Sequence, residues 1–177
     1  MAGARVLLLE GDLRRPSFAR RLGVSASPGL TEYLRGTAEP QEVVQLVDLY
    51  PPQSGEKAGG PAEPAVARLA CIAAGSHGGD AAELLASARF SHFISEVRGA
   101  YDLVVVDSSP LLAVVDPLEI VEQSDAVLLC ARVHKTTRDE LRAARSALGN
   151  LPERPYGAVI TGLRRDGPDA YPYYYGY

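Results

Sequence analysis

Short unbroken apolar runs alternate along the chain with segments in which apolar residues recur every three or four positions. The run RVLLLE at residues 5–10 is too short for a helix and has no polar break. Such a run predicts a strand that is buried on both faces of a parallel sheet. Four more runs share this character, at residues 67–74, 102–107, 125–131 and 156–162. Each of them predicts a strand of the same kind.

Two of the intervening segments have the period of an amphipathic helix. In residues 88–100 one apolar face comprises Phe90, Phe93, Ile94 and Val97. In residues 136–150 the corresponding face comprises Leu141, Ala144 and Leu148, with Thr137 predicted as the N-cap and Gly149 as the stop. Strands that alternate with amphipathic helices predict an α/β domain with a parallel sheet.

One segment, residues 51–65, is rich in Pro and Gly and has no apolar period, which predicts a flexible loop inside the domain. The chain has 177 residues, enough for one domain with a substantial core. We therefore predict one domain at 1–168, interrupted by this loop, and a tyrosine-rich tail at 169–177.

The composition excludes some classes of protein. A net charge of −4 with scattered arginines gives no electrostatic basis for binding nucleic acid. The apolar runs are far too short for a membrane span, and the start MAGARVLLLEGD does not resemble a signal peptide. We therefore expect a cytoplasmic protein. Cys71 and Cys130 lie in apolar runs without metal-ligand spacing, which predicts core thiols.

Carboxylates end two of the predicted strands. Glu10 and Asp12 follow the first strand, with Arg14 two residues later, and Asp107 ends the run LVVVD. Parallel strands bring functional groups together at their carboxyl ends, and Mg²⁺ prefers one or two carboxylates with phosphate oxygens. The pattern favours a nucleotide-phosphate site. The alternative for any single strand-terminal Asp is a cap on the following turn.

The last seven residues, YPYYYGY, contain five of the nine tyrosines of the chain. Five rings separated only by Pro172 and Gly176 cannot all face one core, and chain termini are usually the least ordered part of a domain. The tail is therefore predicted to present exposed phenol groups.

These motifs resemble one family. LLLEGDLR is similar to the Walker A′ motif of the bacterial tyrosine kinases, and VVVDSSP is similar to their Walker B motif. PGLTEYLRGTAEPQEVV, the stretch from AAELLASARF to Walker B, and HKTTRDEL resemble further segments of the family. These kinases are the autokinase domains of polysaccharide chain-length and export systems, related to deviant-Walker ATPases. The resemblance implies a three-layer P-loop NTPase-like fold with a mostly parallel central sheet.

The resemblance also implies roles for particular residues. Asp12 matches the Asp that activates the tyrosine hydroxyl and organises Mg²⁺, Asp107 matches the Walker B Asp that supports Mg²⁺ through water, and Arg14 matches the motif Arg. Glu10 stands where the family has its first Asp. The phosphoacceptors implied are the tail tyrosines Tyr171, Tyr173, Tyr174, Tyr175 and Tyr177. The substrate implied is ATP, the partners a membrane polysaccharide copolymerase or activator segment and other copies through the tail, and the location the inner face of the plasma membrane.

The family's phosphate loop, G-x-x-x-x-G-K-[ST], is missing from these 177 residues, whose only lysines, Lys57 and Lys135, do not follow a glycine. We expect an N-terminally truncated chain that lacks the Walker A βα unit, and weak or no binding of Mg·ATP by the chain alone. An in-frame phosphate loop in the DNA upstream of Met1 would support this. Two alternatives remain open: a non-catalytic phosphoacceptor module, and a partition-type ATPase.

Overall fold

A computed structural model describes residues 3–49, 67–149 and 156–163. The chain divides into two compact units, residues 1–120 and residues 121–177, and each is described by itself. The predicted loop at 51–65 and the predicted tail at 169–177 lie outside the described residues. Along the described chain, no helix combines the length and the apolar character that a membrane crossing requires.

The first unit contains four strands. They are β1 (Val6–Glu10), β2 (Gln45–Leu49), β3 (Ala67–Ile72) and β4 (Leu103–Asp107). Its helices are α1 (Phe18–Leu22), α2 (Leu30–Arg35), α3 (Pro40–Val43), α4 (Ala81–Leu85) and α5 (Ala88–Ala100). Helix α6 (Asp116–Glu122) begins in this unit and ends in the second.

The four strands form one sheet in the order β2-β3-β1-β4. Strand β1 pairs in parallel with both β3 and β4, whereas β2 pairs antiparallel with β3. In the register, Glu10 lies opposite Asp107. The sheet is therefore mostly parallel, and the two strands that end in carboxylates are neighbours whose carboxyl ends meet.

The core of this unit lies between the sheet and α5. The four residues predicted for the apolar face of α5 are all buried: Phe90, Phe93, Ile94 and Val97. Leu7 and Leu9 of β1 are fully buried in the same cluster. Ser87 caps the helix, since its Oγ accepts a hydrogen bond of 3.2 Å from the Phe90 N–H. Burial of each large side chain stabilises the fold by about 1.5–3 kcal/mol.

Strand β4 differs from its prediction as a strand buried on both faces. Val104 and Val106 pack against the core, but Leu103 and Val105 are 54% and 44% exposed. Among the described residues, the core cluster that includes α5 packs against the face of β4 that carries Val104 and Val106, and the opposite face stays exposed. A run of apolar residues indicates a strand but does not indicate its place in a sheet.

The second unit contains a parallel pair of strands, β5 (Val127–Arg132) and β6 (Tyr156–Thr161), and helix α7 (Arg138–Gly149). The predicted cap of α7 is confirmed, since Thr137 Oγ1 accepts a hydrogen bond of 3.2 Å from the Glu140 N–H. Ala144 and Leu148 are buried as predicted. Gly149 is the last helical residue rather than the residue that follows the helix.

The prediction of two core thiols is correct for one cysteine and wrong for the other. Cys71 is fully buried in β3. Its burial, and to a smaller extent the charge of Glu10, raises the pKa of its thiol to about 11. Cys130 is exposed. It alternates along β5 with half-buried residues, and the exposed Leu128 lies on the same face of the strand. The apolar run therefore has one solvent-facing side.

Candidate functional site

The loops that follow β1 and β4 meet at one edge of the sheet. The Gly11 N–H donates a hydrogen bond of 2.7 Å to the carbonyl oxygen of Asp107, which joins the two strand ends. A Cβ atom at residue 11 would lie 2.9 Å from that oxygen and 2.7 Å from Ile120 Cδ1. Only glycine permits this close approach of the two backbones.

Glu10 is buried and serves the fold at this edge. Its side chain is 1% exposed in total. Oε1 accepts hydrogen bonds from the backbone N–H groups of Ser17 and Phe18, the latter at 2.8 Å, and Oε2 accepts one of 3.0 Å from the Ala74 N–H. The carboxylate thus ties the start of α1 and the end of β3 to the end of β1. Both oxygens are occupied, which leaves Glu10 poorly placed for the catalytic role predicted for it.

Asp12 is held by three donors that all reach the same oxygen. Oδ1 accepts hydrogen bonds from the N–H groups of Arg14 and Arg15, at 3.2 and 3.0 Å, and one of 2.7 Å from Ser109 Oγ. The two bonds from the backbone N–H groups cap the turn that follows Asp12. The alternative that Asp12 is a turn cap is therefore correct for its oxygen Oδ1. Among the described residues, no hydrogen bond reaches Oδ2. This oxygen is the one available to a ligand or to an incoming proton.

Asp107 ends β4, and the residue as a whole is exposed although its carboxylate is partly buried. The pKa of this carboxylate is raised above the usual range. Burial contributes most to this effect, the charges of Glu10 and Asp12 contribute further, and the charge of Arg21 in α1 opposes it. The carboxylates of Glu10 and Asp12 are therefore close enough to repel that of Asp107. A bound cation would relieve that repulsion.

Arg14 is committed to an ion pair. Its Nε and Nη2 donate hydrogen bonds of 2.5 and 3.0 Å to the two carboxylate oxygens of Asp116, the first residue of α6. Asp116 is 1% exposed, whereas the Arg14 side chain is 42% exposed. The hydrogen bonds and the charge of Arg14 lower the pKa of Asp116. Arg14 therefore links the loop after β1 to the start of α6.

The donor set fits a hard cation held by few protein ligands. Within the described part of the chain, no group of three or more His, Cys, Asp or Glu residues is arranged to hold a metal ion. Mg²⁺ does not require such a group, because it keeps several waters and uses one or two carboxylates with phosphate oxygens. Asp12 and Asp107 are two such carboxylates, and Glu10 is excluded by its three backbone partners.

Sequence reasoning missed two residues of this edge. Ser109 follows Asp107 by two positions, is 5% exposed and contacts Asp12 directly. Asp116 lies 102 residues from Arg14 in the sequence, and its only signal was a carboxylate directly after the apolar run LLAVV. That stretch gives no indication of its partner.

The amino-acid sequence is similar to those of known tyrosine kinases from bacteria. The chain is 31% identical to the tyrosine-protein kinase etk of Escherichia coli K12 over 169 residues, which is 96% of the chain and 21% of that protein. It is 28% identical to the tyrosine-protein kinase YwqD of Bacillus subtilis over 172 residues, 97% of the chain and 65% of that protein. No family model matches the sequence. The resemblance to the bacterial tyrosine kinases is confirmed.

Solved structures show that the fold of the chain is also similar to that of bacterial tyrosine kinases. The kinase domain of Escherichia coli tyrosine kinase ETK matches with a TM-score of 0.78 at 28% identity, over 97% of this chain and 61% of that one. The Pyrococcus furiosus cell division ATPase MinD matches with a TM-score of 0.66 over 96% of this chain and 64% of that one. At 14% identity the second likeness concerns the fold alone. The predicted α/β fold of the P-loop ATPase kind is thereby confirmed.

The matches cover nearly all of this chain but only part of several relatives. The chain spans about a fifth of the length of several curated relatives, including etk. Most of the sequence of these relatives therefore lies outside the region that aligns with the chain. The site roles of Asp12, Asp107, Glu10 and Arg14 remain predictions. The five predicted phosphoacceptor tyrosines lie outside the described residues.

Proposed function

We propose that the chain belongs to a protein-tyrosine autokinase domain that uses Mg·ATP and modifies its own tyrosine tail. The observation that carries this proposal is the meeting of Asp12 and Asp107 at adjacent strand ends. Asp12 has one oxygen fixed by three donors, and its charge acts on Asp107. The tyrosine kinase relatives support the reaction class.

In this proposal the two aspartates have different tasks. Asp12 accepts the proton of the attacking tyrosine hydroxyl at Oδ2, and a carboxylate base helps because a free phenol has a pKa of about 10. Asp107 and Asp12 would hold Mg²⁺ partly through water, so that Asp12 Oδ2 stays free to accept the proton. When bound, Mg²⁺ neutralises the charge of the phosphoryl group. Glu10 and Arg14 keep the loop of Asp12 in place.

The proposed phosphoacceptors are the tyrosines of the tail. Each phosphotyrosine adds about −1.5 to −2 charges at neutral pH, and the whole chain has a net charge of −4. Two or three modified tyrosines would therefore roughly double the negative charge or more, at one end of the chain. We infer that an unmodified tail enters the aspartate site of a neighbouring copy and that phosphorylation repels it.

The proposed setting is a capsular or exopolysaccharide synthesis system. There the kinase lies at the inner face of the plasma membrane and is activated by a segment of a membrane polysaccharide copolymerase. The resemblance of the Walker-type motifs supports this setting. A partition-type ATPase is disfavoured by the tyrosine tail, which such a role does not require.

The second candidate is a phosphoacceptor module without activity of its own, favoured by the absence of G-x-x-x-x-G-K-[ST] from the 177 residues. Incubation with the kinase domain of Escherichia coli ETK and Mg·ATP, followed by mass spectrometric mapping, tests the feature that both candidates share. We expect phosphate on two or more of the tail tyrosines. Phosphate mainly on Tyr33, Tyr50, Tyr101 or Tyr156, with an unmodified tail, would contradict the tail's role as substrate.

A further inference from the structure

The loop that contains Asp12 is held at two points by residues from beyond β4. One is the hydroxyl of Ser109, which donates directly to Asp12 Oδ1. The other is the carboxylate of Asp116, which binds the Arg14 side chain through two parallel hydrogen bonds. The backbone N–H of the same Arg14 donates to Asp12 Oδ1. Arg14 is thus bound by Asp116 at one end and supports Asp12 at the other.

Two parallel bonds fix the orientation of a guanidinium as well as its position. The pair is also sheltered on one side, since Asp116 is almost fully buried. A buried carboxylate without its partner is costly, and the pair therefore has a strong reason to stay closed. The backbone of residue 14 cannot move far from the start of α6 while that pair is formed.

We propose that Asp116 is a positioning residue for Asp12: by holding Arg14 it fixes the turn whose backbone N–H groups aim Asp12, with Oδ1 inward and Oδ2 open. This inference rests on the proposed role of Asp12 in binding Mg²⁺ and accepting a proton. The inference adds Asp116, which is 104 positions from Asp12 in the sequence and is not itself proposed to bind Mg²⁺ or to accept the proton. Ligand-orienting groups of this kind typically change metal affinity by about 10–100-fold when removed.

The chain provides a matched control for this proposal. Arg35 and Asp80 form a second ion pair with a fork of two hydrogen bonds, at 2.6 and 3.2 Å. Their side chains are 32% and 35% exposed. Among the described residues, no hydrogen bond or ion pair joins Arg35 or Asp80 to Asp12 or to its donors. Asp80→Asn therefore removes an ion pair of the same forked geometry, at a more exposed position, and we expect it to leave the turn at residues 12–15 unchanged.

The test uses the 177-residue chain and two readouts. The first is the NMR chemical shift and exchange rate of the Arg15 amide proton at pH 7, which report its hydrogen bond to Asp12. The second is the affinity for Mn²⁺, a spectroscopic substitute for Mg²⁺, measured by electron paramagnetic resonance. In Asp116→Asn we expect an upfield shift and faster exchange of the Arg15 amide and about tenfold weaker Mn²⁺ binding. Asp80→Asn is expected to match the wild type in both.

A lower Tm of Asp116→Asn with wild-type Arg15 amide signals would overturn the proposal, because Asp116 would then stabilise the fold without positioning Asp12. If the asparagine variant does not fold, Arg14→Lys decides. Lysine keeps the charge but cannot form the fork, and it should change the Arg15 amide in the same direction. If the wild type does not bind Mn²⁺, the proposed metal site is wrong, and the Arg15 amide still supports or overturns the positioning role.

Discussion

Ser109 Oγ donates a hydrogen bond of 2.7 Å to Asp12 Oδ1, and this bond connects the loops after two neighbouring parallel strands. Ser109 is almost fully buried, so the bond is protected from water. Together with the bond from the Gly11 N–H to the Asp107 carbonyl, it makes the two loops one structural element. The orientation of Asp12 therefore depends on the loop after β4 as well as on its own turn.

Ser109→Ala should weaken Mn²⁺ binding by about tenfold, because Asp12 loses one of the donors that orient it. The Tm should change little, since the two backbone donors to Oδ1 remain. Ser108→Ala is the matched control, as Ser108 Oγ only donates a long bond of 3.3 Å to the Ser109 carbonyl. Equal Mn²⁺ affinities of the two variants in paramagnetic resonance titrations would show that the Ser109 bond is dispensable.

Glu10→Gln should destabilise the chain by about 1–3 kcal/mol, because a buried amide group is then directed at backbone donors that a carboxylate satisfied. Urea unfolding followed by circular dichroism measures this change. Asp12→Asn, at a partly exposed position, should cost much less. A Glu10→Gln variant as stable as the wild type would mean that neither the charge of Glu10 nor its second accepting oxygen stabilises the fold.

Asp116 should make stability depend on pH in acid. Its pKa is lowered in the folded chain, so its contribution is fully present above the unfolded value of about 3.9 and is lost as the pH falls through the folded value. The Tm of the wild type should exceed that of Asp116→Asn at pH 7. The difference should shrink below about pH 4 and vanish at lower pH. A difference that stays constant from pH 7 to pH 3 would contradict the ion pair.

The chain alone should bind Mg·ATP weakly or not at all. The proposed site has the two carboxylates that we expect on the Mg²⁺ side, whereas the motif that usually supplies the backbone cradle and the lysine for the phosphates, G-x-x-x-x-G-K-[ST], does not occur in the 177 residues. Isothermal titration calorimetry measures the affinity directly. Micromolar affinity would refute this prediction and would require a different phosphate-binding loop within the chain.

The sequence predicted the parts of the fold that depend on local patterns. The apolar period of residues 88–100 predicted both the limits of α5 and its buried face, because a single helix face is specified by spacing alone. Strand β2, with the pattern QLVDL, was not predicted, since its burial alternates only weakly along an edge strand of the sheet. The exposure of Val105 and Cys130 depends on which neighbours cover a strand, and a linear pattern does not contain that information.

For the site, the motif spacing predicted that Asp12 and Asp107 would lie near each other, since Asp107 ends one parallel strand and Asp12 follows the end of its neighbour. It could not distinguish the roles of Glu10 and Asp12, which differ because one carboxylate points into the protein and meets three backbone amides. The pairing of Arg14 with Asp116 was equally inaccessible, because a contact between residues 102 positions apart depends on the packing of α6.

The most direct test of the central claim is tyrosine autophosphorylation by residues 1–177 preceded by the phosphate-loop segment of the Escherichia coli ETK kinase domain. We predict transfer to the tail tyrosines. Asp12→Asn should reduce the rate by about a hundredfold or more, as expected for loss of a general base. Glu10→Gln should retain activity in proportion to its folded fraction. Near-normal phosphorylation by Asp12→Asn, or an inactive parent chain that still binds Mg·ATP, would contradict the account.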